Sequence, residues 1–283
     1  MNGQTVIGVD LGGTNVRAGK MVGQEMVAHR SRAITSKGTQ DQVLQEIRET
    51  ISAVFDKQVS AIGIGVPSLV DVDQGIVYTV ENIPSWKEVQ LKKNLEQAFA
   101  IPVFVNNDAN CFALGELYFG AGRGYQHLVG MILGTGLGAG IIISHKLYCG
   151  HNCGAGEIGT IPYRENTIEY YCSGQFFQHQ YGLDGGTLFE RAQQGDRQAL
   201  EIFHEYGDNL GHAVMIALYA YDPEIIVLGG SVSKAWSFFE KSLRHKLESF
   251  AYQHALARLV IQPAQTPKIS VLGAAALCYN AQK

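Results

Sequence analysis

The sequence has few of the features that mark disordered, membrane-spanning or nucleic-acid-binding chains. Only 7 of its 283 residues are proline and it has no low-complexity tract, so long disordered linkers are not expected. No apolar stretch reaches the roughly 18 residues that a membrane-spanning helix needs. Lysine and arginine number 22 against 26 acidic residues, a net charge of −4, and they do not cluster. We therefore expect neither a nucleic-acid nor a membrane partner.

Cysteine is also scarce. The five cysteines are odd in number, irregularly spaced and not preceded by a signal peptide, which predicts a reducing, cytoplasmic environment. A chain of this length can bury roughly three quarters of its unfolded surface, so it does not need disulfides for stability. The segment Cys149-Gly-His-Asn-Cys153 offers three soft ligands within five residues. So close a spacing rarely fits one tetrahedral ion, and no metal centre is expected there.

Glycine is abundant, with 33 residues that gather where predicted strands end. The first such place is Asp10-Leu-Gly-Gly-Thr-Asn-Val-Arg17, directly after the apolar run 6–9. Gly12 and Gly13 let backbone N–H groups approach an anion, and Thr14 adds a hydroxyl donor. Asp10 could hold a hydrated Mg²⁺. An ordinary hairpin turn remains the alternative, because residues 18–29 also have the pattern of strand, turn and strand.

A second turn of the same kind favours the phosphate-binding interpretation. The apolar strand 128–133 leads into Gly134-Thr-Gly-Leu-Gly-Ala-Gly140, and a third glycine pair, Gly229-Gly230, follows the apolar run 224–228. Two such units about half a chain apart predict two related lobes with phosphate turns facing a shared cleft. No G-x-x-x-x-G-K-[ST] is present, and Ala139 occupies the third glycine position of a dinucleotide motif. P-loop and dinucleotide-binding folds are therefore disfavoured.

The order of predicted elements indicates a mixed α/β sheet in each half of the chain. The predicted division places residues 1–108 with 272–283 in a small N-terminal lobe and 109–271 in a large C-terminal lobe. Strands are predicted near residues 5–10, 15–21, 25–30, 60–66, 102–105, 127–133, 138–144, 224–228 and 269–271. Helices are predicted near residues 40–56, 88–100, 109–119, 173–181, 186–194, 196–221, 235–249 and 272–281.

Polar residues stand at strand ends where open α/β sheets bind their ligands. Asn107 and Asp108 lie between an apolar strand and a helix, where either residue could equally be a helix cap. Glu157 lies among glycines, and Glu169 precedes a predicted helix. Together these four side chains could form the set of acceptors that recognises the hydroxyls of a sugar.

The motifs, in this order, resemble those of the ROK family of sugar kinases, which have the actin-like, hexokinase-type fold of two ribonuclease H-like lobes. The resemblance covers nearly the whole chain. It rests on D-L-G-G-T-N at 10–15, G-V-P at 65–67, Asn82 with Trp86, N-D-A-N at 107–110, G-T-G-L-G at 134–138, A-G-E-I-G at 155–159, Glu169 with S-G at 173–174, and L-G-G-S at 228–231.

The resemblance implies transfer of the ATP γ-phosphoryl group to a hexose hydroxyl, glucose O6 first, with Mg²⁺ as the metal and a homodimer as the assembly. Asp108 matches the catalytic base. The implied sugar-binding residues are Asn107, Asp108, Glu157, Glu169, Pro67 and Ser68. The implied ATP-binding residues are Asp10, which would hold Mg²⁺ through water, with Gly12, Gly13, Thr14, Gly134, Thr135, Gly136, Gly229 and Gly230.

Two departures from the family pattern bear on the substrate. Many members have histidine after E-I-G, where this chain has Thr160, and then a cysteine-rich zinc loop that residues 161–168 lack. A structural zinc is therefore not expected. N-acylmannosamine or fructose remain alternative substrates, and a non-catalytic sugar sensor or an actin-type ATPase is an alternative of another class. ROK repressors carry a DNA-binding domain ahead of these motifs, and only five residues precede Val6 here.

Overall fold

A computed structural model describes residues 3–280. Its chain divides into two compact units, the first formed by Met1–Gly124, His145–Ala155 and Thr266–Lys283, and the second by Tyr125–Ser144 and Gly156–Gln265. This division differs from the predicted one because residues 109–124, 145–155 and 266–271 fall in the first unit. The last residues of the predicted small lobe, 281–283, lie outside the described part of the chain.

The strands, in chain order, are β1 (Thr5–Leu11), β2 (Asn15–Val22), β3 (Glu25–Ala33), β4 (Val59–Val66), β5 (Val70–Asp71), β6 (Ile76–Val77), β7 (Val89–Gln90), β8 (Val103–Asn107), β9 (Leu128–Leu133), β10 (Leu137–Ile143), β11 (Lys146–Tyr148), β12 (Pro162–Tyr163), β13 (Asn166–Thr167), β14 (Ile225–Gly229) and β15 (Val260–Pro263).

The α-helices are α1 (Gln40–Ser52), α2 (Leu91–Phe99), α3 (Asp108–Phe119), α4 (Ile168–Cys172), α5 (Gln175–Tyr181), α6 (Gly185–Gln193), α7 (Arg197–Tyr221), α8 (Trp236–Leu247), α9 (Gln253–Leu256) and α10 (Ile269–Asn280), with 3₁₀ turns at Ile158–Thr160 and Val232–Ala235.

The main sheet of the first unit has the strand order β3-β2-β1-β4-β8. β1 and β2 form an antiparallel hairpin, whereas β1, β4 and β8 run parallel. β1 and β4 are buried along almost their whole length, as expected of parallel strands with both faces covered. Because parallel strands end at the same edge, the polar residues that follow β1, β4 and β8 lie side by side.

Small residues let the last helix pack closely on this sheet. A Cβ on Gly8 would lie 2.0 Å from the Val271 carbonyl oxygen, and one on Gly63 would lie 1.9 Å from that of Ala274. α3 and α10 approach equally closely, since a Cβ on Gly273 would lie 1.7 Å from a backbone oxygen of α3. Glycine at these positions therefore fixes the layer of helices behind the site-bearing strands.

In the C-terminal region one strand prediction is wrong and one strand was missed. The segment 269–271 is the first turn of α10 and not a strand, and the true strand of that region is β15, which the sequence did not predict. A short apolar run such as Ile269-Ser-Val-Leu272 has no periodicity that separates a strand from a buried helix. The helix predicted to residue 281 is described to Asn280, and its predicted end lies outside the described residues.

The second unit repeats the pattern of the first. Its strands follow each other in the order β10-β9-β14-β15, with an antiparallel β9–β10 hairpin and parallel β9, β14 and β15. Phe203 and Tyr206 of α7, the longest helix described, pack against Phe176 and Phe177 of α5 in a buried aromatic cluster. Across residues 3–280, no helix is long and apolar enough to span a membrane.

Candidate active site

In the first unit, the ends of three parallel strands line up the predicted residues. Asp10 on β1 is in register with Gly65 on β4, and Gly65 is in register with Asn106 on β8. Neighbouring strands lie about 4.8 Å apart, so this row spans about 10 Å. Pro67 and Ser68 follow β4 at the same edge. The sequence motifs at 10–14, 65–68 and 107–108 are thus parts of one surface.

The turn after β1 is a hairpin turn. The Gly12 N–H donates to the Asn15 carbonyl at 2.8 Å, and the exposed Thr14 hydroxyl accepts from the Asn15 amide at 2.9 Å. A Cβ on Gly13 would lie 2.8 Å from the Cβ of Asn82. The hairpin alternative and the phosphate-turn hypothesis are therefore compatible, since a tight hairpin exposes the same backbone that an anion would contact.

Asp10 has one partner that the sequence analysis did not identify. Arg17 is its cross-strand neighbour in the hairpin and donates to Asp10 Oδ2 at 2.8 Å. Burial raises the pKa of the Asp10 carboxyl, and the hydrogen bond and charge of Arg17 only partly oppose that rise. The hairpin register, counted outward from the Gly-Gly turn, was the signal that could have predicted this pair.

The residues near Asp10 fit a hydrated magnesium ion. The Asp10 side chain is only 14% exposed, and a buried carboxylate whose pKa is raised gains from a nearby cation. Arg17 donates to Oδ2, so Oδ1 is the atom that would accept from metal-bound water. Residues 3–280 contain no cluster of three or more acidic, histidine or cysteine ligands. Mg²⁺ needs no such cluster, because it takes one or two carboxylates and fills its remaining positions with water and phosphate oxygens.

At the start of α3, one residue caps the helix and the next carries a carboxylate. Asn107 is the N-cap, and its side-chain oxygen accepts from the backbone N–H of Ala109 at 2.8 Å. Its amide donates to the Ser68 carbonyl at 3.2 Å and so ties the turn to the end of β4. Asp108 occupies the first helical position, where the helix dipole stabilises a carboxylate. Capping therefore accounts for Asn107, and Asp108 follows it in the first turn of α3, where its Oδ1 accepts from the Ala109 N–H at 2.9 Å.

Behind this turn lies a buried pair of amide side chains, Asn106 and Asn110, that the sequence analysis did not single out. The Asn106 side-chain oxygen accepts from the Asn107 N–H at 2.8 Å and from the Asn110 amide at 2.9 Å. Both residues are at most 3% exposed. The sequence signal that could have predicted this pair was two asparagines four residues apart, one before and one after the capped turn.

In the second unit, a carboxylate holds the glycine turn after β9. Glu169 Oε2 accepts from the Leu137 N–H at 2.8 Å, and a Cβ on Gly136 would lie 2.5 Å from that oxygen. The Gly174 N–H donates to the Gly134 carbonyl at 2.7 Å, so both ends of the turn are fixed. The predicted phosphate turn and the predicted sugar residue Glu169 are therefore in direct contact.

Glu157 and Thr160 lie at the two ends of the 3₁₀ turn Ile158–Thr160, with Glu157 as its N-cap residue. Partial desolvation, and secondly the charge of Glu169, raise the pKa of Glu157, so the two carboxylates sense each other. The Thr160 hydroxyl donates to the Glu157 carbonyl at 2.8 Å. Gly156 makes this turn possible with a φ of +97° and a Cβ position only 1.9 Å from the Ala139 carbonyl. Thr160 thus supports the backbone of the turn that carries Glu157.

The pair Gly229-Gly230 lies at the same sheet edge as the turn after β9. Gly229 is in register with Ile132, and Gly230 adopts a φ of +86° against the Leu133 carbonyl. A Cβ on Gly230 would lie 2.3 Å from that oxygen. The second unit therefore brings together the predicted residues Gly134, Thr135, Gly136, Glu157, Glu169, Gly229 and Gly230.

Comparison with known proteins agrees with the motif order. The sequence profile of the ROK family matches residues 6–281. The chain is 30% identical to the glucokinase of Thermotoga maritima over 96% of both chains. It is 28% identical to a putative xylose repressor from a Caldicellulosiruptor species, over 97% of this chain and 78% of the repressor.

A solved structure supports the fold assignment. A ROK family glucokinase from Streptomyces griseus, crystallised with glucose and AMPPNP, superposes with a TM-score of 0.81. It is 30% identical and matches over 96% of this chain and 98% of its own. The predicted mixed α/β class and the actin-like fold are thereby confirmed. On its sequence, its fold and the order of its site motifs, this chain belongs to the ROK family.

Proposed function

We propose that this ROK-family sugar kinase transfers the γ-phosphoryl group of ATP to a hexose hydroxyl, with glucose O6 as the first expected acceptor. The adjacent pair Asn107 and Asp108, at the strand edge that also carries Asp10, is the observation that carries the proposal. Glucokinases among the relatives that match the chain over almost its full length support the same reaction.

In this proposal Asp108 accepts the proton of the attacking hydroxyl. Asn107 and Ser68 are joined by a hydrogen bond, so they would fix the acceptor sugar beside that carboxylate. Phosphoryl transfer depends mainly on alignment and on neutralising charge, and little covalent chemistry is required of the protein. A general base of this kind contributes a factor of about 10² to 10⁴ to the rate.

The glycine turns would receive the nucleotide. Backbone N–H groups of Gly13 and Gly136, with the hydroxyls of Thr14 and Thr135, would donate to phosphate oxygens, while Gly12, whose N–H closes the hairpin turn, would let the phosphate approach the backbone. Bound Mg²⁺ would neutralise phosphate charge, and Asp10 would hold it through a water molecule. Gly229 and Gly230 present a surface without side chains, which suits the adenosine end of ATP.

In this proposal Glu157 and Glu169 accept hydrogen bonds from the sugar hydroxyls. Thr160 has its hydroxyl engaged with the Glu157 carbonyl and cannot supply the two ring nitrogens of the histidine that many family members have. The site therefore offers one fewer partner to the hydroxyls remote from O6. N-acylmannosamine and fructose remain alternative acceptors for this reason.

ADP release with and without a panel of hexoses tests the proposal. We expect ADP formation that depends on one sugar, and a turnover about 10² to 10⁴ lower in Asp108→Asn with sugar affinity retained. Near-normal turnover in that variant would remove Asp108 from the mechanism.

A sugar-responsive regulator is the second candidate, supported by the similarity to the putative xylose repressor. Calorimetry with the same sugars separates the two functions. Tight sugar binding without any sugar-dependent ADP release would favour a regulator, whereas sugar-dependent ADP release favours the kinase.

A further inference from the structure

Two cysteines four residues apart meet at the back of the candidate catalytic turn. Cys149 and Cys153 bracket a short loop after β11, and the Ala155 N–H donates to the Cys149 carbonyl at 3.0 Å, which folds the loop back on itself. Gly150 and Cys153 both have positive φ, at 72° and 57°. This folding places both thiols against the same buried amides, because each sulfur lies within 3.7 Å of side-chain atoms of both Asn106 and Asn110.

Both sulfur atoms also contact the buried amide pair. The Cys153 thiol donates to Asn106 Oδ1 at 3.4 Å, and the Asn106 amide lies 3.5 Å from Cys149 Sγ. The Asn110 amide lies 3.6 Å from Cys153 Sγ and 3.7 Å from Cys149 Sγ. Because Asn106 Oδ1 also accepts from the Asn107 N–H, the dithiol is one amide group away from the turn that carries Asp108.

The surroundings of Cys153 favour a reactive thiolate. The Cys149 thiol hydrogen-bonds to its sulfur and, with the backbone N–H groups of Asn107 and Val70, lowers the pKa of Cys153 to about 7 against the opposing effect of burial. Burial instead raises the pKa of the thiols of Cys111, Cys172 and Cys278.

Cys153 is only 3% exposed, whereas Cys149 is half-buried. A low-pKa thiol beside a second, resolving thiol is the arrangement that peroxide-sensitive proteins use.

We propose that Cys149 and Cys153 are a reversible oxidation site, at which hydrogen peroxide forms a disulfide that shifts the Asn107–Asp108 turn and slows phosphoryl transfer. The Cys153 thiolate attacks one peroxide oxygen, which breaks the O–O bond and gives a sulfenic acid and hydroxide. The Cys149 sulfur then displaces the hydroxyl group, forming the S–S bond. In total, two thiols and one peroxide give one disulfide and two water molecules, and the sulfurs lose two electrons to the peroxide.

The disulfide changes the hydrogen bonds of Asn106. It has no S–H group, so Asn106 Oδ1 loses its thiol donor. The two sulfurs must also approach to about 2.05 Å, which draws at least one of them away from the amides it contacts. The disulfide stands independently of the kinase assignment, whereas its effect on turnover rests on the proposed function.

Peptide mass mapping tests the chemistry directly. Trypsin releases both cysteines in the peptide of residues 147–164, so the bond appears as the loss of two hydrogen atoms and of both sites for iodoacetamide. With a few equivalents of peroxide, we expect this change in most of the protein while Cys111, Cys172 and Cys278 stay alkylatable. Peptide 147–164 with both thiols still free, or carrying only sulfinic acid, would overturn the proposal.

Activity measured on the same samples tests the consequence. Oxidation should lower sugar-dependent kcat/KM by about 10-fold to 100-fold, the cost of misplacing a reacting group by about an ångström, and dithiothreitol should restore it. Cys149→Ser is the matched control, because it keeps a small polar side chain and cannot form the bond. Its activity should be insensitive to the same peroxide dose. A wild-type disulfide formed without loss of activity, or equal inhibition of Cys149→Ser, would overturn the link to the catalytic turn.

Discussion

Gly136→Ala tests whether the glycine turn positions Glu169. The added Cβ would lie 2.5 Å from Glu169 Oε2, and an ordinary contact begins at 3.4 Å, so the carboxylate must move by about 0.9 Å. That shift breaks or lengthens its 2.8 Å hydrogen bond from the Leu137 N–H. The atom displaced is the end of a flexible side chain and not backbone, so the fold should tolerate the substitution.

The substitution Gly136→Ala should impair the use of the sugar substrate. A displacement of about 1 Å in a positioning group costs up to about 100-fold in rate, so kcat/KM for the hexose should fall by about 10-fold to 100-fold. The assay is coupled ADP release at saturating ATP with the sugar varied, alongside thermal unfolding of the same samples. The melting temperature should change by only a few degrees.

Gly134→Ala is the matched control in the same turn. It carries the same glycine-to-alanine change, but its nearest side-chain atom, Ile132 Cγ2, would be 3.9 Å from the new Cβ. Any loss of ATP affinity should be similar in the two variants, whereas only Gly136→Ala should weaken use of the sugar. Equal sugar kinetics in the two variants would refute the role given to Glu169.

Three further expectations concern charge and packing. Asp10→Asn should lower MgATP-dependent activity by about 10-fold to 100-fold, the usual cost of removing a group that orients a metal through its water. The melting temperature of the apo variant should be no lower than that of the wild type, because a carboxyl whose folded pKa is raised destabilises the fold above that pKa. In a pH profile of kcat/KM for the sugar, activity should fall as the pH drops through the raised pKa of Glu157, which lies above the ordinary value of 4.5. Glu169→Gln should move this acidic fall to lower pH, because it removes a charge that raises the pKa of Glu157. Gly63→Ala should lower the free energy of unfolding by about 1–3 kcal/mol in urea titrations, since its Cβ would lie 1.9 Å from the Ala274 carbonyl.

Much of the fold follows from local patterns in the sequence. The hairpins around the two glycine turns and the strand-to-helix step at Asn107 were predictable, because alternating apolar strands, turn glycines and cap residues act over a few residues. The C-terminal region was not. Ile269-Ser-Val-Leu272 is helical because α10 packs against glycines of the first sheet, a tertiary effect without a local signal. The site residues remain a prediction, although those within each unit lie at common strand edges.

The sequence by itself determined the family and the candidate residues, because short motifs in a fixed order survive as local patterns. Only the tertiary structure decided which of them touch. Glu169 reaches Leu137 across 32 residues of chain, and Asn106 reaches the Cys149 thiol across 43. The sequence's few cysteines first indicated only a chain that needs no disulfides. Their three-dimensional placement shows two of them against the same pair of buried amides behind Asn107, because a fold joins distant segments through packing and hydrogen bonds that no local pattern encodes.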